Sequence, residues 1–341
     1  MCINKTHCAI LVKFFSFTSV SKPIKILIVR FSSIGDIVLT SPVIRCLKNQ
    51  IETEIHFLTK YKYHSLLVNN KYLDKIYYLE SSFSSTLKEL KKENYDYIID
   101  LHNNIRSFFL LRLGVKIIRY YKSNFHKILN ISFGLKLNKK IHTVDRYMQA
   151  VKFLGVKNDG KGLDFFLDKN NKIDFNLNQN FIAWSIGGSF EQKQLSVEQI
   201  YDVCSNLLEP VILLGGENEK NKADEIINLT KNKNVFNFCG KLTINESAYV
   251  IKKCTVLLSN DTGLMHVGAA LKKNILSFWG CTKPDIGFSP YMPGNKSIEL
   301  ISTKSKRQCS KHGSSCKFTK EGCVKEISVE SILDSLKKVL Y

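Results

Sequence analysis

The feature that most constrains the fold is an alternation of short apolar runs with helix-like segments, which occurs twice along the chain. The first series begins at KILIVRF and contains the runs 25–31, 54–59, 95–102 and 115–121. The second begins at FIAWSIGG and contains the runs 181–188, 211–216, 235–240, 255–261 and 274–280. Strands that alternate with helices pair into parallel, doubly wound sheets. We therefore predict an α/β chain with two Rossmann-like units that face each other across a cleft.

The 341 residues suit two domains of roughly 150 residues each. A polar stretch separates the two series and includes LDFFL (163–167), which reads as one further strand. A helix over 142–155 is expected to end at Gly155, and an amphipathic helix closes the chain. The predicted division is an extension (1–23), a first Rossmann-like domain (24–157), a linker (158–180), a second Rossmann-like domain (181–325) and a C-terminal helix (326–341).

The positive charge is concentrated in the first half of the chain. Residues 1–150 hold 24 Lys and Arg against 10 Asp and Glu, and within 101–150 the only acid is Asp145. Such a half is expected to meet a polyanion, for which nucleic acid, an anionic membrane surface and a phosphorylated lipid are candidates. A general lysine bias of the proteome is the alternative explanation.

The ten cysteines do not form a disulfide framework, because most lie singly among apolar residues. No secretory signal is apparent, and a reducing, cytoplasmic location is predicted. No apolar run approaches the roughly 20 residues that a membrane span needs, so a soluble or surface-attached protein is expected.

The turn after the first predicted strand carries a carboxylate where a nucleotide-binding unit carries glycines. FSSIGD (31–36) matches neither G-x-G-x-x-G nor G-x-x-x-x-G-K-[ST], so it is not built for a pyrophosphate. It places Asp36 at a helix start. Asp36 either caps that helix or acts as a general base facing the cleft, and spacing alone leaves both interpretations open.

A second turn, in SNDTGLMHVGAAL (259–271), has the features of a diphosphate site. It leads from a strand end through Asp261, Thr262 and Gly263 into a helix whose first N–H groups and dipole favour an anion. Thr262 adds a hydroxyl donor, and His266 lies about one turn further on. An ordinary capped helix is the alternative.

A third turn, in SIGGSFEQKQLS (185–196), opens the second series. Its glycines permit close backbone approach, and Lys193 would extend toward an anion opposite. A solvated loop lysine is the alternative.

Together these turns resemble the ADP-heptose:lipopolysaccharide heptosyltransferases, glycosyltransferase family 9. The resemblance covers nearly all of residues 24–300, and its most specific stretches are ILIVRFSSIGDIVLTSPVIRCLK and SNDTGLMHVGAALKKNILSFWGCTKP. YDYIIDLHNNIRS and HTVDRYMQAVKFLGV support it. The resemblance implies the GT-B fold, with an acceptor-binding first domain and a nucleotide-sugar-binding second domain.

The resemblance implies an inverting glycosyltransferase that moves a heptose or related sugar from an ADP-sugar to a lipopolysaccharide core acceptor. Asp36 would be the general base. Lys193 and the Thr262–Gly263 helix end would stabilise the leaving diphosphate as preorganised charge, so neither a cofactor nor a metal is expected at the site. Where the family has Trp and Pro shortly after the lysine, this chain has Leu195 and Ser196.

The resemblance also assigns binding positions. The donor-site residues are Asp261, Thr262, Gly263, Leu264, His266, Gly187 and a ribose-binding acid in GGENEK (215–220), where Glu217 competes with Glu219. The acceptor-site residues are Ser33, Gly35, His102 and Arg106. The implied partners are the ADP-sugar and an anionic lipid-linked saccharide, with peripheral contact at the cytoplasmic face of the inner membrane, and a monomer is expected.

The segment CSKHGSSCKFTKEGC (309–323) raises a separate question. Cys309, Cys316 and Cys323 with His312 could form a tetrahedral zinc site, although the spacing matches no common zinc knuckle. Free thiols are the alternative.

Rival functions come from other classes. A glycosyltransferase of the same fold with another nucleotide sugar, and a non-catalytic nucleotide-binding module, both remain open. A nucleic-acid-binding protein would explain the charge, but no helix-turn-helix, zinc finger or single-strand motif is present, so no nucleic acid partner is predicted. The missing G-x-G-x-x-G disfavours an NAD dehydrogenase.

Overall fold

The computed structural model describes residues 22–79, 82–122, 141–168, 173, 179–230, 233–304, 307–310 and 312–341. Within these ranges eleven strands form two sheets, and every strand pairing is parallel. The predicted α/β chain with two parallel sheets is therefore confirmed.

The first sheet has the strand order β3-β2-β1-β4-β5. Its strands are β1 Ile24–Val29, β2 Thr53–Thr59, β3 Lys75–Tyr78, β4 Tyr97–Asp100 and β5 Lys116–Arg119. β1 lies at the centre, where Ile26 pairs with Ile55 on one side and with Tyr97 on the other. Residues 26–29 are completely buried, as expected for a strand that is covered on both faces.

The second sheet has the strand order β11-β10-β9-β6-β7-β8. Its strands are β6 Ile182–Ser185, β7 Val211–Leu214, β8 Val235–Asn237, β9 Val256–Asn260, β10 Asn274–Trp279 and β11 Ile298–Ile301. Counted within this half, the order is 3-2-1-4-5-6, the Rossmann arrangement. The order reverses between β6 and β9 here, and between β1 and β4 in the first sheet. Ligands of open parallel sheets bind beyond the carboxyl ends of the strands at such reversals.

Helices cover the sheets, and several begin at recognisable caps. They are α1 Ile34–Val38, α2 Ser41–Gln50, α3 Phe83–Lys91, α4 Ile105–Phe108, α5 Thr143–Gln149, α6 Val197–Ser205, α7 Lys220–Leu229, α8 Ile244–Lys253, α9 Gly263–Ala270 and α10 Val329–Leu340. Pro42 lies in the first turn of α2, where its missing N–H costs no hydrogen bond. The Ser196 side chain caps α6 by accepting a hydrogen bond from the Gln199 N–H, and Ser328 caps α10 in the same way.

The two halves pack directly on one another. One buried apolar cluster continues from Ile28 and Ile37 in the first half to Leu257 and Met265 in the second. The outer face of the second sheet is closed by α10, whose Leu336 is almost fully buried. This continuous core fixes how the carboxyl ends of the two sheets face each other.

Most predicted elements are present. Two differ from their prediction, and two observed strands were not predicted. The segment 163–167 is not a strand. It lies against α2 instead, because the Asp164 carboxylate pairs with Arg45 and its N–H donates to Ser41 Oγ at 2.9 Å. The short edge strands β3 and β11 were not predicted. The predicted helix at 142–155 is α5 followed by a 3₁₀ turn, Lys152–Leu154, that ends at Gly155 with φ +77°.

The predicted domain boundaries remain predictions. The first sheet ends at Arg119 and the second begins at Ile182. Most of the extension 1–23, part of the basic segment 101–150 and much of the linker 158–180 lie outside the described residues.

Candidate active site

A cavity of about 380 Å³ lies where the carboxyl ends of the two sheets meet. The first half contributes the turn after β1 and residues just beyond β5, and the second half contributes the turns after β6 and β9. Asp36, Lys193, Thr262 and Gly263 all line it. Three turns distant in sequence thus share one cavity.

The two halves touch at the base of this cavity through the starts of α1 and α9. A Cβ added at Gly35 would lie 2.5 Å from His266 Cδ2, and one added at Gly263 would lie 2.7 Å from Ile34 Cβ. Each distance is too short for a real side chain, so only glycine permits this approach at both positions. The contact sets Asp36, one residue beyond Gly35, next to the Thr262–Gly263 turn.

Asp36 is held by two sets of contacts. Its Oδ2 accepts hydrogen bonds from the Ser33 N–H at 3.2 Å and the Ser33 hydroxyl at 2.9 Å. Its Oδ1 forms an ion pair with Arg30 at 2.7 Å, and its side chain is 19% exposed. Asp36 therefore caps α1 and also lines the cavity, so the two interpretations left open by the sequence do not exclude each other.

The ion pair between Arg30 and Asp36 keeps the Asp36 carboxylate ionised. Burial alone would raise the pKa of Asp36, but the Arg30 guanidinium and the Ser33 hydrogen bonds outweigh it and lower the pKa below its ordinary 3.8. The carboxylate is thus available as a proton acceptor at neutral pH.

Arg30 is a functional candidate that the sequence analysis missed. Nε donates to the Ser32 carbonyl and Nη1 to the Leu101 carbonyl, both at 2.6 Å, while the guanidinium lies 5.9 Å from the centre of the Tyr147 ring. Four contacts thus fix a buried guanidinium behind Asp36. The available signal was a basic residue directly after the apolar strand KILIV.

Lys193 meets Asp261 across the second half of the cavity. Their charged groups lie 2.5 Å apart, and both side chains are mostly buried, at 10% and 13% exposed. The Thr282 hydroxyl donates to the same Asp261 oxygen, Oδ2, at 2.9 Å. Asp261 is therefore held in place by two partners, and Lys193 is directed into the cavity rather than into solvent.

Thr262 and Gly263 lead into α9 at the carboxyl end of β9. The Thr262 hydroxyl lies 3.3 Å from Ser185 Oγ and 3.2 Å from Ser259 Oγ, and it does not cap α9. Asn260 donates to the carbonyls of Ile186 and Gly187 at 2.9 and 3.0 Å, which ties the turn after β6 to the end of β9. Thr262 and Gly263, where α9 begins, both line the cavity, and the first N–H groups of a helix favour an anion.

His266 is a neutral polar group in the cavity wall. Burial lowers the pKa of its imidazole to about 4, with the nearby Asp261 carboxylate acting in the opposite direction. Its Nδ1 is buried and has no hydrogen-bond partner among the described residues. A bound ligand could satisfy this nitrogen.

The cavity wall carries more positive than negative charge. Its described cationic side chains are Arg30, Lys122, Arg146 and Lys193, and its described carboxylates are Asp36 and Asp261. The Arg146 guanidinium donates to Thr143 Oγ1 at 2.6 Å, and Lys122 donates to the Asn103 carbonyl at 2.5 Å. Such a lining favours an anionic ligand.

Of the other residues predicted for the site, some line this cavity and others do not. Ser33 lines it, whereas His102, Arg106, Gly187, Leu264 and Glu217 do not. His102 packs on Phe31 with ring centres 4.9 Å apart, and Arg106 is exposed on α4. Their predicted binding roles remain predictions.

The two acids that compete for the ribose have different surroundings. The Glu217 side chain is 73% exposed and pairs with Lys220 at 3.6 Å. Glu219 instead accepts a hydrogen bond from the Gly216 N–H at 2.9 Å and lies against Gly187, since a Cβ added there would meet the Glu219 carboxyl carbon at 2.9 Å. Glu219 is thus the acid closer to the turn after β6.

The cysteines of the C-terminal segment are also brought together. Cys309, Cys316 and Cys323 form a cluster in which the fourth member is Cys281, not His312. His312 instead lines the cavity.

None of the helices in the described ranges combines the length and apolar character needed to span a bilayer.

Sequence comparison relates the chain to known proteins. The family model "Glycosyltransferase family 9 (heptosyltransferase)" matches residues 84–320. Lipopolysaccharide heptosyltransferase 1 of Campylobacter coli is 24% identical over 347 residues, which cover 92% of this chain and 98% of that protein. Lipooligosaccharide heptosyltransferase 2 of Campylobacter jejuni is 24% identical, with 90% and 95% covered.

Solved structures give the same context for the fold. A glycosyltransferase family 9 protein from Veillonella parvula superposes with a TM-score of 0.76 at 21% identity, covering 93% of this chain and 97% of that one. The ADP-heptose lipopolysaccharide heptosyltransferase II of E. coli superposes with a TM-score of 0.71 at 19% identity, with 93% and 98% covered. The predicted GT-B fold is thereby confirmed.

Proposed function

Because the chain belongs to glycosyltransferase family 9, we propose that it transfers a heptose from an ADP-sugar to a lipopolysaccharide core acceptor in one inverting displacement. The observation that carries the proposal is the contact of Gly35 with Gly263, which brings the turn that holds Asp36 against the start of α9. A general base and a leaving-group site that face one cavity are what such a displacement requires.

The first half is proposed to activate the acceptor. An acceptor hydroxyl gives its proton to Asp36 as its oxygen bonds to the anomeric carbon of the donor, and the bond from that carbon to the diphosphate breaks. Arg30 keeps Asp36 ionised before the reaction. Its charge, with those of Lys122 and Arg146, would also attract an acceptor that carries phosphate.

The second half is proposed to hold the donor. The N–H groups at the start of α9 and the Thr262 hydroxyl bind the diphosphate, and Lys193 neutralises the charge that develops on the leaving ADP. Asp261 lies near the sugar, with its orientation fixed by Thr282. The neutral His266 offers its unpaired Nδ1 to the donor.

Peripheral contact with the inner membrane is part of the proposal. Around α4 the chain exposes several large apolar side chains next to the exposed bases Arg106 and Arg112, namely Ile105, Phe108, Phe109 and Leu111. Apolar groups beside bases suit an anionic lipid surface.

Donor identity is tested by the melting temperature of the protein with a panel of nucleotide sugars. A ligand that binds only the folded state stabilises it by about 2.7 kcal/mol at one hundred times its Kd. ADP-heptose should give the largest rise, and UDP- and GDP-sugars at the same concentration should give little. A rise with a UDP-sugar alone would support the same fold with a different donor, and no rise with any nucleotide sugar would contradict the proposal.

A pH profile tests the pairing of Arg30 with Asp36. In Arg30→Gln the burial of Asp36 is no longer opposed by the guanidinium, so the pKa of the carboxyl rises. The base is active above its pKa, so the acid limb of kcat/KM is expected to move to higher pH. In the wild type Asp36 should stay ionised down to below pH 3.8.

Arg45→Gln is the matched control for this profile. Arg45 is also buried and paired with carboxylates, those of Asp159 and Asp164, but it does not line the cavity. Its profile should superpose on that of the wild type. An Arg30→Gln profile that also superposes would contradict the assignment.

A further inference from the structure

Four thiols that the proposed function does not use meet in the second half of the molecule. Cys281 lies just beyond β10, and Cys309, Cys316 and Cys323 come from the C-terminal segment. All four sulfur atoms lie within 4.8 Å of one another. Three of the residues are buried, and Cys316 is half-buried.

The distances between the sulfur atoms fit one tetrahedral ion. The pairs Cys309–Cys316, Cys309–Cys323 and Cys316–Cys323 lie 3.9, 3.7 and 3.2 Å apart. A disulfide would require about 2.05 Å. A zinc ion with Zn–S bonds of about 2.3 Å sets its four sulfur atoms ~3.8 Å apart. An iron–sulfur cluster places several atoms between its thiolates and needs a wider arrangement. A single iron ion would fit the same four thiolates, so metal analysis must distinguish it from zinc.

Backbone amides surround these sulfur atoms as they would surround thiolates. The Cys323 N–H donates to Cys281 Sγ at 3.4 Å. The N–H groups of Phe318 and Thr319 donate to Cys316 Sγ at 3.4 and 3.3 Å. Such donors stabilise the charged form of the ligands and orient them toward a common centre.

We propose that Cys281, Cys309, Cys316 and Cys323 bind one Zn²⁺ as a tetrathiolate site. Four protein ligands leave no open position for water or substrate, so the ion is structural rather than catalytic. Thiolate sulfur selects zinc over Mg²⁺ or Ca²⁺, which prefer oxygen ligands.

The ion would fasten the C-terminal segment to the end of the second sheet. The C-terminal segment already contacts the residues after β10, because the Cys309 N–H donates a hydrogen bond to the Cys281 carbonyl at 2.9 Å. Beside it, a Cβ added at Gly280 would lie 2.2 Å from the Val324 nitrogen, so the two chains touch through their backbones. Among its described residues, the segment between β11 and α10 has one element of regular structure, the 3₁₀ turn Cys323–Glu326.

The fastened segment forms the cavity wall behind Lys193. A Cβ added at Gly313 would meet Lys193 Cγ at 2.8 Å, and the neighbouring His312 lines the cavity. On the other side of the cluster, Thr282 directly follows Cys281 and donates to Asp261. The ion would therefore position both partners of the Lys193–Asp261 pair without touching the substrate.

The metal content of the purified full-length chain, free of any affinity tag, tests the proposal. About one zinc per chain is expected by elemental analysis. After the metal is removed, Co²⁺ should restore one equivalent and give the strong visible absorption of tetrahedral cobalt thiolate. Cys281→Ser and Cys316→Ser should lose most of the metal and melt at a lower temperature. They should also raise KM for the donor several-fold.

Cys204→Ser is the matched control, because Cys204 is fully buried in the second half but outside the cluster. It should keep one zinc per chain. If the serine variants do not fold, the zinc content and the cobalt spectrum of the wild type still decide. A wild type with neither zinc nor a cobalt thiolate spectrum would overturn the proposal. So would one iron per chain in place of zinc, or bound inorganic sulfide with an iron–sulfur absorption spectrum.

Discussion

Asp36→Asn is expected to lower kcat for sugar transfer by about 10²–10⁴-fold, the usual contribution of a positioned general base. The donor Kd should stay within about twofold of the wild type, because the anion site belongs to the second half. Asn keeps the size of the side chain and can accept the Ser33 hydrogen bonds, but it cannot take a proton. Single-turnover transfer and calorimetric donor binding measure the two quantities separately.

Asp159→Asn is the matched control for this variant. Asp159 also pairs with a buried guanidinium, that of Arg45 at 2.7 Å, but it lies outside the cavity. It should lose some stability and keep its turnover per folded molecule. An Asp36→Asn enzyme with wild-type turnover would reject the base assignment, and a large loss of donor affinity would move Asp36 to the donor site.

Lys193→Met is expected to lower kcat by about 10²–10³-fold, because the lysine stabilises charge that develops only as the diphosphate leaves. Met keeps most of the apolar stem that packs on Gly313 and removes the charge. Asp261 retains its hydrogen bond from Thr282, so its placement should survive. A smaller rise in KM should accompany the loss of kcat. Steady-state kinetics over donor concentration separates the two effects.

Lys325→Met is the control for Lys193→Met. Lys325 pairs with Glu191 at 3.2 Å on the neighbouring surface and does not line the cavity. Its kinetics should match those of the wild type. If Lys193→Met changes only KM, then Lys193 binds the donor and the transition state equally, which would contradict the proposed role.

The sequence predicted the fold well because buried parallel strands leave a strong pattern. β1, β6 and β9 are short, mostly apolar runs followed by turn residues, and each was expected close to its observed position. The missed strands β3 and β11 are edge strands of four residues with partly exposed side chains. The segment 163–167 has the composition of a strand. In the structure it lies against α2 instead, where Asp164 forms an ion pair with Arg45.

The sequence predicted some of the residues that line the cavity, because the turns after strands can be recognised locally. It indicated Asp36, Lys193 and Thr262, and the structure gathers them in one cavity. It could not give their partners, since those contacts depend on how two sheets pack. The Arg30 ion pair with Asp36 links positions close in sequence, but the Gly35 contact with Gly263 joins two positions far apart in the chain.

The cysteine cluster shows the same limit. The spacing of Cys309, Cys316 and Cys323 is visible in the sequence, and His312 was the natural fourth candidate. Cys281 joins them only because its backbone lies beside Cys309 and Cys323 in the folded chain. A residue that reaches a cluster through tertiary contact alone leaves no spacing signal.

A crystal structure of the protein with ADP tests the account most directly. The account predicts the β-phosphate on the Gly263 N–H and within reach of Lys193 Nζ, with the Asp36 carboxylate facing it across the position of the transferred sugar. A nucleotide bound away from the start of α9, or an Asp36 side chain turned out of the cavity in that complex, would contradict it.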